Sequence, residues 1–201
     1  MTPMSSPAAE RNADPIADVL QRSLPDSGRV LEIASGGGYH AVRFAARFSQ
    51  LVWQPTDRSP EALRSIEARR VEAKLDNLLP PLELDVEQPW PAEATADAMV
   101  CINMLHVAPW SAGEALFAGA RERLPSNGPL LVYGPFNVGG GYTSEGNRAF
   151  DADLRGCDPR LGLRDVEEVE RAAAAHELSI AGRVPMPANN LSLLFRRNER
   201  R

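Results

Sequence analysis

Three consecutive glycines, Gly36, Gly37 and Gly38, separate a short apolar run from a stretch of helical periodicity. Before them, Val30, Leu31 and Ile33 make the run expected of a strand buried on both faces. After them, Ala41, Phe44, Ala45 and Phe48 recur at helical spacing, with Arg43 and Arg47 on the other face. The stretch therefore predicts a strand, a tight turn and a helix. Glycine has no Cβ, so the turn can bend sharply and admit a ligand close to the backbone. Unpaired N–H groups at the start of the new helix favour a negatively charged or polar ligand group. This is the first βα unit of a nucleotide-type fold, with its ligand beyond the carboxyl end of the strand.

A chain of 201 residues suits one domain, 1–201, with a full hydrophobic core. The net charge of −5 argues against broad affinity for nucleic acid. No run approaches the ~18 apolar residues of a membrane span, and the N-terminus lacks a basic-then-apolar leader. Cys101 falls in a predicted buried strand and Cys157 in a predicted loop, so no disulfide framework is expected and the predicted setting is cytoplasmic. No cluster of His, Cys and carboxylates has metal-ligand spacing.

Taken in order, residues 1–5 are expected to be disordered. Ser6-Pro7 and Asp14-Pro15 each read as a helix start, giving an N-terminal helical cap over residues 1–27. Between them, Glu10, Arg11 and Asn12 read as a solvated turn or as part of a lid. A second strand runs from Leu51 towards Asp57, and Ser59-Pro60 opens a helix to about Lys74. Pro81–Val86 is the third strand and its exit. Ala98–Ile102 is the fourth, leading into Asn103, His106 and Trp110. Ser111 and Glu114 form a capping box for the next helix. Leu130–Tyr133 is the fifth strand. Residues 137–164 then read as a long irregular insertion covering the substrate, with Phe150 and Leu154 on a short helix and Gly139–Gly141 as a hinge. Asp165 and Glu168 cap a further helix, and Leu178–Val184 and Leu191–Phe195 close the sheet. The terminal arginines read as a solvated tail.

The glycines alone leave the nucleotide open, because Gly36-x-Gly38-x-x-Ala41 with Asp57 also fits a dinucleotide fingerprint. Glu32, however, stands four residues before Gly36. Glu32-x-Ala34-x-Gly36-x-Gly38 resembles the E-x-G-x-G-x-G motif of class I S-adenosylmethionine-dependent methyltransferases, with Ala34 in place of its first glycine. The order of strands and helices, with two closing strands, is similar to that of the same class. The resemblance implies an α/β, Rossmann-like sheet of seven mostly parallel strands with helices on both faces and the last strand antiparallel. More narrowly, the chain resembles the methyltransferase-like 26 family. It does so through Ser6–Asn12, Leu31–Gly36, Cys101–Met104 with His106, Ala108–Trp110, Tyr133–Phe136 and Pro187–Ser192. That likeness implies S-adenosylmethionine as cofactor and leaves the substrate open.

On this reading Glu32, Ala34, Ser35, Gly36 and Gly38 shape the cofactor pocket. Asp57, with Arg58 beside it, accepts from the ribose hydroxyls, and Asp85 and Val86 meet the adenine. Two readings fit Asp85, an adenine acceptor or a surface acid. Asn103 and His106 face the transferred methyl. His106 reads either as a base titrating near neutral pH or as a histidine packed under the next helix. His40 is expected to touch cofactor or solvent. Asn12, Trp110, Tyr133, Tyr142, Asn147, Arg164, Asn189 and Asn190 are candidate acceptor contacts, each with an ordinary loop hydrogen bond as its alternative. The expected partner is a small-molecule acceptor, with nucleic acid disfavoured. The competing functions are a non-catalytic cofactor-binding or protein-interaction module and, less favoured by Glu32 and the two closing strands, a nicotinamide-dependent oxidoreductase.

Overall fold

The computed structural model describes residues 7–199. Expectations for residues 1–5, Ser6, Arg200 and Arg201 lie outside the described residues. The described chain runs α1 (Pro7–Ser23), β1 (Gly28–Ile33), α2 (Tyr39–Arg47), β2 (Leu51–Asp57), α3 (Pro60–Ala73), β3 (Leu82–Glu83) and β4 (Ala98–Ile102). It continues through α4 (Trp110–Arg123), β5 (Pro129–Asn137), α5 (Glu145–Cys157), β6 (Arg164–Asp165), α6 (Val166–Ala175), β7 (Leu178–Met186) and β8 (Asn190–Arg197). The strands lie in the order β3-β2-β1-β4-β5-β8-β7. Strands β1 to β5 pair in parallel, and β8 runs antiparallel to both β5 and β7. This is the Rossmann-like class I methyltransferase sheet.

Alternation along the central strands divides the core in two. Leu31, Met99, Cys101, Leu130 and Val132 face one side, where Leu116, Phe117 and Ala120 of α4 and Val166 and Val169 of α6 cover them. Val30, Ala98, Val100, Leu131 and Tyr133 face the other, beneath Ile16 and Leu20 of α1 and Phe44 and Phe48 of α2. Because every central strand is covered on both faces, both parities are apolar. Cys101 behaves as one more buried apolar residue, and desolvation pushes its thiol up to about 12.

Several local expectations are corrected. Asp14-Pro15 does not open a second helix: α1 is continuous through Pro15, and Glu10, Arg11 and Asn12 lie within it rather than in a turn. The buried stripe Ala9, Ala13, Ile16, Ala17, Leu20 holds the helix against the sheet, which outweighs the one backbone bond proline removes. The third strand is only Leu82–Glu83, and no helix separates it from β4. Trp90 instead covers that edge, packing on the core and on α4. Ser111 and Glu114 form no capping box. The helix starts at Trp110, and the Ser111 hydroxyl donates to Glu87 at 2.6 Å. Asp165 stands at the N-cap of α6 but makes no cap bond, its carboxylate accepting from the Gly140 N–H at 2.9 Å. The stretch 137–164 is largely regular: β5 extends to Asn137, α5 spans thirteen residues, and β6 adds an eighth strand beside β5. Cys157 ends α5 rather than sitting in a loop.

Phe117 of α4 is fully buried and packs edge-on against Phe195 of β8, with ring centroids 5.8 Å apart. Replacing Phe117 by alanine is expected to cost about 3–5 kcal/mol of unfolding free energy. Urea titration should show a lower midpoint with an unchanged slope.

Candidate functional site

The chain leaves β1 towards β2 and leaves β4 towards β5, on opposite sides. The segments following these two adjacent strands therefore diverge, and a crevice opens between them at the carboxyl ends. On one side lies the glycine turn, with Gly36 at φ +55 and Gly38 at φ +81. A Cβ on Gly38 would meet the Ile66 backbone at 2.9 Å, so α3 packs directly against the turn. The Gly37 carbonyl accepts from Ser65 and Arg69 of the same helix. A Cβ on Gly36 would meet nothing within 4 Å, so that position faces open space. Ala34 is also left-handed, at φ +55, a conformation that costs a residue with a Cβ on the order of 1–2 kcal/mol. The geometry explains why a glycine serves at this place, and the strain it retains lies at the site itself.

Acidic side chains tie the turn to its neighbours. Asp57, at the end of β2, accepts from the Gly36 N–H and the Ser59 N–H, each at 2.9 Å, one through each carboxylate oxygen. Ser59, not Asp57, caps α3. The Gly36 and Gly38 N–H groups are thus held by Asp57 and the Ser35 carbonyl, so the turn uses part of its donor set on itself. Glu32 lies beneath the turn, fully buried, and accepts from Trp53 Nε1 at 2.6 Å. Trp53 went unrecognised as a site residue. Its signal was an indole in the strand beside a buried carboxylate. Desolvation raises the Glu32 carboxyl to about 7 against the lowering effect of its hydrogen bonds, with the Asp57 charge adding to the rise.

Three cavities share walls along the crevice. The first, ≈ 310 Å³, is lined by Glu32, Ser35, Gly36, Asp57, Asn103 and other residues of the glycine turn. The second, ≈ 170 Å³, lies between Asp57, Arg58, Asp85 and Val86. There Arg58 and Asp85 approach to 3.9 Å, and the Asp85 carboxylate also accepts from the Glu87 N–H. The third, ≈ 420 Å³, is lined by Asn12, Asn103, His106, Tyr133, Asn147 and Asn190, together with Arg11, Phe150 and apolar residues. Val107 lines all three, and Asn103 lines both the first and the third.

The structure thus brings Asn12, Asn103, His106, Tyr133, Asn147 and Asn190 together and places other candidates elsewhere. Asn189 offers its carbonyl to the Asn147 amide at 3.2 Å. Tyr142 donates to Asp151 on α5. Arg164 is buried and donates to the carbonyls of Leu105 and Ala108, with its guanidinium 5.7 Å from the Trp110 ring. Trp110 and Arg164 therefore brace the loop that carries His106. Arg11, read as part of a lid, and Phe150, read as part of the covering insertion, both line the large cavity; Val107 lines it without having been singled out, because a loop valine carries no motif. His40 is buried and lines the first cavity; its Nε2 lies 2.7 Å from Asn12 Oδ1, and burial lowers its pKa to about 4. His106 is likewise lowered to about 4, by burial and by the Arg164 charge, so it does not titrate near neutral pH. Its ring packs against Phe150 and is neutral at pH 7. Among the described residues no group of three or more His, Cys, Asp or Glu is placed to hold a metal ion. Nor is any helix among them long and apolar enough to cross a membrane.

A family model described as "Protein of unknown function (DUF938)" matches residues 3–197. Among solved structures, the chain is similar to an O-methyltransferase family 2 protein from Planctomyces limnophilus in complex with apigenin. Their identity is 23%, the TM-score is 0.81, and the match covers 94% of this chain and 59% of that one. An O-methyltransferase family protein from Burkholderia thailandensis matches at 17% identity and TM-score 0.80, over 96% and 58% of the two chains. Magnesium protoporphyrin IX methyltransferase from Synechocystis, with bound SAH, matches at 14% identity and TM-score 0.73, over 94% and 83%. The chain spans less than two thirds of the length of the first two structures.

The Glu32–Trp53 pair has a readable titration. Glu32 ionises near 4.5 when exposed and near 7 when folded, so its contribution to stability declines as pH rises between those values. With Trp90 and Trp110 replaced by phenylalanine, the emission of Trp53 should change with a midpoint near pH 7. Glu32→Gln should remove that transition.

Proposed function

This chain belongs to the DUF938 family, and we propose that it is an S-adenosylmethionine-dependent methyltransferase acting on a small molecule. The observation that carries the reading is that two neighbouring spaces share Asn103 and Val107 in their walls. A crevice lies against the glycine turn on one side, and a larger chamber with a separate set of polar side chains lies on the other. A donor and an acceptor could occupy the two spaces and meet at their junction. The fold shared with methyltransferases supports the same reading.

The residues present suit the cofactor. Each Asp57 oxygen accepts one backbone N–H, which leaves acceptor capacity on both for the two vicinal hydroxyls of a ribose. Asp85 and Val86, lining the adjoining cavity with Asp57, would flank the adenine, with Arg58 at its edge. Ala34, Ser35, Gly36 and Gly38 would receive the amino-acid end, ordered from below by Glu32. When bound, S-adenosylmethionine supplies an already activated methyl group. The protein's task is then to hold the acceptor in line and exclude water. Asn103, left-handed at φ +59 and anchored by its N–H to the Tyr133 carbonyl, stands at the junction. His106, neutral and without a ring hydrogen-bond partner among the described residues, has both ring nitrogens available to orient the acceptor.

Calorimetry on the folded protein should show saturable binding of S-adenosylmethionine and S-adenosylhomocysteine. Asp57→Ala should weaken it by about 1.5–3 kcal/mol, the scale of hydrogen bonds to a charged group. No uptake of either nucleoside would overturn the proposal, and stabilisation by a nicotinamide dinucleotide instead would favour the oxidoreductase reading. Binding without transfer to any acceptor would favour a sensor. His106→Asn should lower turnover while leaving S-adenosylhomocysteine affinity intact. The wild-type rate should show no histidine limb near pH 6.5.

A further inference from the structure

The large cavity has an unusual charge inventory. No aspartate, glutamate or lysine lines it among the described residues, and its one formal charge is Arg11, on the cavity-facing side of α1. The other arginines nearby are committed. Arg155 pairs with Asp151 at 2.9 Å, Arg164 is held by backbone carbonyls, and Arg43 takes up Asp14, one turn along α1 from Arg11. Arg11 itself has no acidic partner among the described residues.

The remaining polar wall is neutral. The Asn12 side chain bonds His40 and the Tyr133 hydroxyl, and the Asn147 amide bonds Thr143 and the Asn189 carbonyl. These groups orient a polar ligand without repelling a charge of either sign. The rest of the wall is apolar and partly flat, with Phe150, Pro135 and Pro187. An ammonium ligand would find no carboxylate there and would face a guanidinium. A carboxylate would find Arg11, the one cation among the described residues of the lining. A volume of ≈ 420 Å³ fits a small organic molecule rather than a peptide segment or a nucleobase chain.

We propose that the acceptor bound in this cavity is a small, planar organic carboxylate, with its anionic group on Arg11 and its ring or unsaturated body against Phe150. This rests on the methyltransferase reading and adds the chemical class of the acceptor. A bidentate guanidinium–carboxylate contact supplies direction as well as attraction, which fixes one end of the acceptor and presents the other towards Asn103.

Three probes on one carbon skeleton test it: trans-cinnamate, its primary amide and cinnamylamine. Each is titrated by calorimetry into the full chain saturated with S-adenosylhomocysteine. Cinnamate should bind about tenfold more tightly than the amide, the scale of one charged hydrogen-bonded contact partly open to water. The amine should bind most weakly. Arg11→Gln should erase the preference of acid over amide, whereas Phe150→Ala should weaken acid and amide alike. Equal binding of acid and amide, a preference for the amine, an acid preference that survives Arg11→Gln, or no binding of any probe overturns the inference. Failure to take up S-adenosylhomocysteine in the first step would overturn the donor reading instead, so the two failures are distinguishable.

Discussion

The divergence of the chain after β1 and β4 is the constraint on which the site depends. Two adjacent parallel strands deliver their next segments to opposite sides, so no backbone bonds can close the space between those segments. What keeps that space shaped is a small set of bonds between strand ends. The Ser35 N–H donates to the Thr56 carbonyl, the Thr56 hydroxyl to the Glu32 carbonyl, and the Gly36 N–H to Asp57. All three lie between the exits of β1 and β2, so the glycine turn is fixed from its outer side and left open towards β4. Asp57 therefore has a structural role before any ligand arrives, and its ligand-binding capacity is what remains after that role.

Burial sets the chemistry available within this frame. Glu32 and His106 would be a carboxylate and a near-neutral base in water. In the fold, desolvation moves both towards their neutral forms, to about 7 and about 4. The inner crevice consequently keeps one fixed carboxylate, Asp57, which it shares with the second cavity, where Asp85 also stands. That distribution suits a reaction whose electrophile arrives activated. It is less suited to one that needs a strong base, since an imidazole held near 4 removes protons only from quite acidic groups.

The βα frame was legible because hydrophobic periodicity and turn chemistry agree along it. Val30–Ile33, the glycines and Ala98–Ile102 each carry one unambiguous pattern, and all fall where the pattern puts them. Local signals misled where tertiary packing overrode them. The apolar stripe of α1 carried the helix through Pro15, and Glu87 captured the Ser111 hydroxyl that would otherwise have capped α4. The α5 segment reads as an irregular insertion with only a short helix around Phe150 and Leu154, because only Asn147 and Asp151 are buried on it. A helix that buries polar residues lacks the apolar stripe by which helices are recognised. Trp53 was hidden for a related reason: strand parity shows that it is buried, not that its N–H faces Glu32 from the neighbouring strand.

The acceptor chamber is harder to read because no single motif builds it. Its wall joins a face of α1, the loop after β4, the middle of β5, α5 and the turn before β8. Each contributes two or three residues whose spacing in sequence is arbitrary. The glycine turn, by contrast, is local, since backbone geometry within five residues suffices to make it. A donor site built from backbone conformation leaves a pattern in the chain, whereas an acceptor site built from side chains on five separate segments is visible only in their juxtaposition. The same separation lets the chamber's composition change, residue by residue, while the crevice that would hold the donor keeps its form. Arg11 illustrates the point. In sequence it belongs to a stretch read as a solvated turn or a lid, and its chemical meaning comes from standing as the one charged residue among the described residues of the chamber wall.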